Sequence, residues 1–407
     1  MNAKILNRLC CPICKGVISI QPFLEEDPNG QIPTAGEKGQ YKDGERIIKE
    51  GALLCTDCKV WYPVYSYIPV MLVFKTPFHE RFAGEHAEQI GKLRGYKMPD
   101  HRAEAGEGSI QETFTDEWDK VHESELSFTY SEDDLKELNR KVWLKWLGHS
   151  DERIMSILNV GCGLGRESLV LQELTHNAEV FGIDLNFGLL RSGRIYKSRT
   201  GVHLIIASLF HLPFRSSSFD LVYSQGVIHH TFSTAAAFTS IASHVRSGGH
   251  LFIWVYGLDD HLIRQRGLGL LAHGQYLVEC VLRPMLSASP KLLRDILFNA
   301  MTVLIHPLIK MRVRHKDTWG LRNTNHDLRD QFSPKYAHRH SYNDVFEWFE
   351  DLGFKIVDVQ SPHLYRKLFK KQLWGVGVTG RKGEDGGLPR VMDRGASNRI
   401  ETEVVKN

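Results

Sequence analysis

Four of the seven cysteines stand in two pairs, Cys11-Pro12-Ile13-Cys14 and Cys55-Thr56-Asp57-Cys58. Two C-x-x-C knuckles offer four thiolates, the set that closes a tetrahedral zinc site. Such a site is structural, because four protein ligands leave no open position for a substrate. Cys10 adjoins the first pair, but the C-P-x-C spacing favours Cys11 as the ligand. The stretch from Glu25 to Gly51 between the pairs is punctuated by Pro28, Gly30, Pro33, Gly36, Gly39 and Gly44, and it reads as an insertion.

A second constellation is Asn159-Val160-Gly161-Cys162-Gly163-Leu164-Gly165-Arg166, which follows the apolar run Ile154–Val160. Gly161, Gly163 and Gly165 let the backbone turn sharply and approach a ligand. The dinucleotide fingerprint G-x-G-x-x-G needs a glycine where Arg166 stands, which argues against a pyrophosphate packed on the helix start. Asp184 ends the next apolar run, 19 residues beyond Gly165. A carboxylate there can accept hydrogen bonds from both hydroxyls of a ribose. Loop, run and acid together describe a nucleoside site.

Histidine is the natural base near neutral pH. His229 and His230 follow the fourth β-rich run and are the candidate catalytic bases. Tyr256, Tyr336, His338 and His340 are further polar candidates for touching a substrate. Either histidine of the pair could instead cap a helix or pack under a lid.

The elements that must position these groups have a readable rhythm. Strands are expected over Ile154–Val160, Val180–Ile183, His203–Ile206, Phe219–Ser224 and Gly249–Val255. Helices are expected over Leu169–Leu174, Phe187–Tyr196 and Ala235–Val245. That alternation implies a doubly wound, mostly parallel α/β sheet. Ligands of such sheets bind beyond the carboxyl ends of the strands.

At this point the sequence resembles the class I S-adenosylmethionine-dependent methyltransferases, over roughly Phe114 to Lys382. The glycine loop with Asp184 carries the resemblance. So do Ala207-Ser208-Leu209-Phe210-His211-Leu212-Pro213-Phe214, Phe219 through His230, and Val245-Arg246-Ser247-Gly248-Gly249-His250. Order and spacing match the ubiquinone/menaquinone-type, small-molecule branch. The resemblance implies a Rossmann-like fold. It places Gly161, Gly163, Gly165 and Gln225 at the methionine end of the cofactor. Asp184, beside Leu185, takes the ribose, and Ser208 and Leu209 flank the adenine. Asn159 and Ser208 stand where the family usually has acids. Each substitution forfeits a charge-assisted hydrogen bond worth about 1.5–3 kcal/mol, so weakened cofactor binding is expected. Phe114-Thr115-Asp116-Glu117-Trp118 resembles an aromatic segment that closes over the cofactor; an ordinary helix start with Trp118 in the core fits equally well.

The knuckles and the run Trp61 to Leu72 resemble the small zinc-binding domain of activator subunits that partner RNA and protein methyltransferases. The expected domains are a zinc-ribbon-like head (1–74), a linker and helical lead-in (75–150) and the methyltransferase domain (151–382). A helical lid is inserted at 258–330, and the tail at 383–407 is expected to be disordered. The expected cofactors are S-adenosylmethionine and structural Zn²⁺.

The 407 residues are 42% hydrophobic and 24% charged, which excludes a mainly disordered, collagenous or disulfide-scaffold chain. The net charge of +3 carries no nucleic-acid signature. It averages two opposed segments: residues 100–137 hold 13 acids and 3 bases, residues 261–320 hold 9 bases and 3 acids. Three readings fit: the segments face each other, each faces a different partner, or both are solvated surfaces. No apolar run reaches the ~18 residues of a spanning helix; the best, Ile296–Ile309, is broken by Asn299, His306 and Pro307. The N-terminus carries no secretory-type run, and reduced thiols fit a cytoplasmic location. The lid helices suit a small or lipid-like acceptor modified at oxygen or carbon, or contact with a membrane surface. A tRNA or translation-protein acceptor reached through the zinc module is the alternative, as is cofactor binding without catalysis. Ser224-Gln225-Gly226-Val227 replaces the N-P-P-Y type of segment, which argues against planar amino-group methylation.

Overall fold

The computed structural model describes residues 1–26, 47–119, 131–149, 153–176, 178–197, 199, 201–258, 269–312, 320–369 and 375–384. Most of the expected insertion between the cysteine pairs, and the tail beyond residue 384, lie outside the described residues.

Four strands form the first sheet: β1 (Ile18–Glu26), β2 (Ile47–Cys55), β3 (Val60–Tyr65) and β4 (Ile68–Pro69), antiparallel in that order. Register does the assembling. Ile18 pairs with Cys55, so the knuckle just before β1 lies beside the knuckle at the β2–β3 turn. Helices α1 (Pro77–Glu85), α2 (Ala87–Gly91), α3 (Glu107–Trp118) and α4 (Glu132–Leu138) lead into the second sheet.

That sheet has seven strands in the order β10-β11-β9-β8-β5-β6-β7. They are β5 (Ser156–Val160), β6 (Glu179–Asp184), β7 (Val202–Ile206), β8 (Phe219–Gln225), β9 (Val245–Tyr256), β10 (Phe354–Val359) and β11 (Gly375–Lys382). β5 through β9 run parallel, and β11 is antiparallel to both neighbours. The strand order reverses between β5 and β8, the switch point at which a doubly wound sheet opens a ligand crevice. Intervening helices are α5 (Arg166–Leu174), α6 (Gly193–Tyr196) and α7 (Thr234–Ala242). After β9 come α8 (Gly269–Ala288), α9 (Lys291–Arg312), α10 (Leu321–Phe332), α11 (Tyr342–Asp351) and α12 (Pro362–Phe369).

Three expectations are corrected. The helix expected over Phe187–Tyr196 divides into a 3-10 turn, Phe187–Ser192, and the short α6. At the junction the Ser66 carbonyl presses so close to Gly193 that any side chain there would collide with it. The helix expected to reach Val245 stops at Ala242, and β9 begins at Val245 instead. Finally, Lys291–Met311 is long and apolar enough, by length and composition, to cross a membrane. Two of its polar interruptions, Asp295 and His306, are satisfied by partners on α10: Asp295 pairs with Arg329, and His306 Nδ1 lies 2.8 Å from Thr324 Oγ1.

The two sheets are joined. Met71 donates its backbone N–H to the Ile206 carbonyl at 2.7 Å, and Val70 bridges Ile206 in parallel fashion. Cys10 N donates to the Pro213 carbonyl at 2.9 Å and Lys15 Nζ to that of Leu212 at 2.6 Å. The module thereby covers β7, an edge whose open hydrogen-bonding groups would otherwise invite other strands. Leu9, Tyr62, Val64 and Met71 share one apolar core with Phe181, Ile205 and Phe214 of the larger sheet.

Candidate functional site

A cavity of about 320 Å³ opens at the carboxyl ends of β5, β6 and β8. The loop after β5 forms its floor. Gly161 and Gly163 have φ values of 77° and 57°, and a Cβ on either would strike Val227 or Trp118. Only glycine supplies both the left-handed backbone and the space. Asp184 is drawn over the loop: Oδ2 accepts from Gly163 N at 2.8 Å and Oδ1 from Asn186 N at 3.0 Å. Burial raises its pKa, and these backbone donors oppose the rise. Leu185, Leu209 and Gln225 complete this side.

Glu167, on the first turn of α5, also lines the cavity. Burial pushes its carboxyl up to about 7, although Tyr223 donates its hydroxyl to it at 2.6 Å. Asn139 bonds the same carboxyl, and the acid faces the cavity.

Opposite stands His230. Its Nδ1 lies 2.9 Å from the Tyr336 carbonyl, which can only accept, so Nδ1 carries the proton. Nε2 is therefore the bare nitrogen; it is buried without a hydrogen-bond partner, 4.0 Å from Asp330 Oδ1. Burial lowers the pKa of His230, so the ring is neutral at neutral pH and its lone pair is available. Tyr256 donates to Asp330 Oδ2 at 2.8 Å, fixing the carboxylate next to the imidazole. This is the arrangement of an oriented general base.

The lid closes the remaining side. Trp118 lies over Gly163 and stacks edge-on with His326 at 5.8 Å. His326 Nδ1 is 2.7 Å from Glu117 Oε1, both side chains being buried in the cavity wall. Burial opposes the charge on His326, but Glu117, with Asp330 and Asp327 behind it, raises its pKa overall. Lys291 and Arg294 of α9 reach Asp116 of α3 at 2.5 and 3.9 Å. The acidic and basic segments thus do meet in part.

Several site residues expected from the sequence lie elsewhere. Asn159 is wholly buried behind the loop and donates to Ser168 Oγ at 3.0 Å, because its strand position points into the sheet–helix packing. Gly165 caps α5 against the Tyr196 ring and stays out of the cavity wall. Ser208 is buried one layer behind Leu209, where it accepts from Phe210 N and faces the Glu107 carboxyl. His229 packs on the Tyr256 ring at 3.9 Å and does not line the cavity. Tyr336, His338 and His340 do not line it either. His338 Nε2 meets the Thr231 carbonyl at 3.0 Å and His340 Nε2 meets Thr234 Oγ1 at 2.8 Å, so this segment braces the loop bearing His230. Of the polar candidates, His230 and Tyr256 reach the cavity.

At the other end of the molecule, the ligand atoms of Cys11, Cys14, Cys55 and Cys58 all lie within 4.8 Å of one another. Cys14 and Cys55 Sγ are 3.6 Å apart, and Cys11 and Cys58 Sγ 4.0 Å. Four thiolates bonded to zinc at about 2.3 Å sit roughly 3.8 Å apart, so the donor set fits that ion. Cys10 is outside the cluster.

The family model described as "Methyltransferase domain" matches residues 158–253, and that described as "Trm112p-like protein" matches residues 2–65. The chain carries a class I S-adenosylmethionine-dependent methyltransferase domain behind a Trm112p-like module. Over 104 residues the chain is 33% identical to malonyl-[acyl-carrier protein] O-methyltransferase of Legionella pneumophila, covering 25% of this chain and 37% of that protein. It is 30% identical over 108 residues to the "Probable tRNA methyltransferase 9B" of Mus musculus, covering 26% of this chain and 22% of that protein. The chain thus spans well under half the length of these curated relatives. A solved S-adenosylmethionine-dependent methyltransferase from Mesorhizobium loti is 18% identical, covering 62% of this chain and all of that one, with a TM-score of 0.35. The fold itself rests on the strand order and register described above.

Glu167, His326 and Asp330 also line the cavity, although no motif in the sequence marks them. His326 and Asp330 lie one turn apart on α10, a spacing that aims both side chains at one neighbour. Glu167 sits two residues past the last glycine, where the N-terminus of a helix favours an acid for its own sake. That ordinary explanation hid it.

Proposed function

We propose that the protein transfers a methyl group from S-adenosylmethionine to an oxygen or carbon of a small or lipid-like acceptor, with His230 as general base. The observation that supports this best is the bare, buried Nε2 of His230, facing the same cavity as Asp184 and the glycine loop. Bound cofactor supplies a methyl already activated on a sulfonium, so the protein need only align a nucleophile and remove its proton. Gly161 and Gly163 give the cofactor room, Asp184 takes the ribose hydroxyls, and Glu167 takes the ammonium that Asn159 cannot neutralise. His230 receives the acceptor's proton at Nε2, and Asp330 stabilises the imidazolium. Trp118 and the Glu117–His326 pair exclude water from the lid side.

The module holds zinc through Cys11, Cys14, Cys55 and Cys58 and acts as a built-in docking partner for the edge of β7. Such thiolates persist in a reducing, cytoplasmic environment. Incubating the purified protein with methyl-labelled S-adenosylmethionine and separate lipid, small-molecule and tRNA fractions tests the acceptor. Label in the lipid or small-molecule fraction, lost in H230A, supports the reading; label confined to tRNA overturns it. The tRNA reading is kept because the Trm112p-like match and the tRNA methyltransferase relatives favour it.

A further inference from the structure

The lid helices are inside out. Along α9, Leu292, Ile296, Val303, Leu304, Leu308 and Met311 are exposed, and their helical spacing sets them on one side of the helix. The opposite face of α9, with Phe298, Thr302 and His306, packs on α10. On α8, Val281 and Met285 repeat the outward pattern, while Leu286 is turned in. Among the described residues, eleven of the sixteen exposed large apolar side chains lie on these two helices. A contiguous apolar patch of this kind marks an interaction surface.

We propose that the outer face of α8 and α9 docks the protein on an anionic phospholipid surface, with the helices lying in the plane of the interface. Charge selects this occupant. In sequence, residues 261–320 carry nine bases against three acids; among the described side chains Lys291 and Arg294 are drawn to Asp116 and Arg283 to backbone carbonyls, and Lys310 is exposed at the far end of the stripe. Lys and Arg beside an apolar helical face are what an acidic headgroup layer attracts. A second copy meeting this one through the same face would set like charges against each other. The polar inner face settles the orientation. Asp295 pairs with Arg329 of α10, and Thr302 and Asn325 join across the same seam at 2.7 Å. Pulling α9 through a bilayer would break these bonds where no water replaces them.

The inference stands apart from the methyl-transfer reading, since vesicle binding needs neither cofactor nor acceptor. The full chain is sedimented with vesicles of phosphatidylcholine alone and of phosphatidylcholine mixed with phosphatidylglycerol. Binding to the mixed vesicles, weakened by salt, is expected. Leu304→Glu with Leu308→Glu should reduce partitioning by more than about tenfold, because two leucines no longer transfer from water to the acyl layer. Lys310→Glu should reduce it about fivefold or more on mixed vesicles and little on neutral ones. Met285→Glu on α8 provides an independent check should the double variant melt early. Protein that stays in the supernatant with both compositions overturns the proposal. So does a wild-type dimer, seen by sedimentation equilibrium, that the double variant dissociates.

Discussion

Two additions flank the seven-stranded sheet, and they treat apolar surface in opposite ways. The N-terminal module turns Leu9, Tyr62, Val64 and Met71 inward, against Phe181, Ile205 and Phe214. Its hydrogen-bonding edge is taken up by β7, and its cysteines gather into one closed cluster. The lid buries a small core of Leu286, Phe298, Leu328 and Phe332 and leaves the broader apolar faces of α8 and α9 outside. Its tie to the lead-in is electrostatic, through Asp116 and Glu117. The module is therefore built to stay and the lid is built to meet something. Between them lies the cavity, with contributions from the sheet and the lid.

That contrast can be broken first at the cysteines. Stripping metal with a chelator, or replacing Cys55 by Ser, should lower the melting temperature by at least about 10 °C. Differential scanning calorimetry that shows no change would mean that packing alone holds the module, and the contrast with the lid would shrink. The next largest effect is at the lid-facing wall. His230→Ala should lower kcat by about 10²–10⁴ while leaving cofactor affinity within a few-fold. The rate must rise as His230 loses its proton. Because burial lowers its pKa, the acid limb of the wild-type profile should lie below pH 6.5, the ordinary histidine value.

A smaller effect is expected at the sheet-facing wall. Glu167→Gln should raise the dissociation constant for S-adenosylmethionine by about tenfold to a hundredfold, the cost of one charged hydrogen bond. In the free protein Glu167 titrates near pH 7. Wild-type affinity measured by calorimetry should therefore strengthen from pH 6 to 8, and the variant's should not. The smallest effect belongs to the Glu117–His326 pair. The folded pKa of His326 is raised, so its contribution is complete below the unfolded value of 6.5 and is lost as pH rises through the folded value. Amide exchange in α10 should quicken modestly on the alkaline side of that transition. His326→Gln should abolish the pH dependence; an unchanged profile would detach the lid from this pair.

Much of the sheet was legible because its signals are local. Short, nearly continuous apolar runs alternated with helical stretches, and the observed strands begin or end within a few residues of those runs. Where the reading slipped, a distant group intervened. Ser66, from the module, splits the helix expected over Phe187–Tyr196 by pressing on Gly193. The histidines show the same limit. His229 and His230 are adjacent and chemically identical, yet one packs on Tyr256 and the other lines the cavity.

What the amino-acid order determined by itself was chemistry tied to near neighbours. It specified two C-x-x-C knuckles, a glycine loop that no side chain could replace, an acid at the end of the following strand, and opposed charge in two segments. Those follow from residue type and short spacing, which a single element preserves. Only the tertiary structure decided which nitrogen of which histidine is bare. That depends on a carbonyl at Tyr336, 106 residues away. It likewise decided that Glu167 lines the cavity and Asn159 does not, and which face of α9 looks outward. Tautomer, burial and exposure are properties of what packs nearby, and the chain writes those partners far apart.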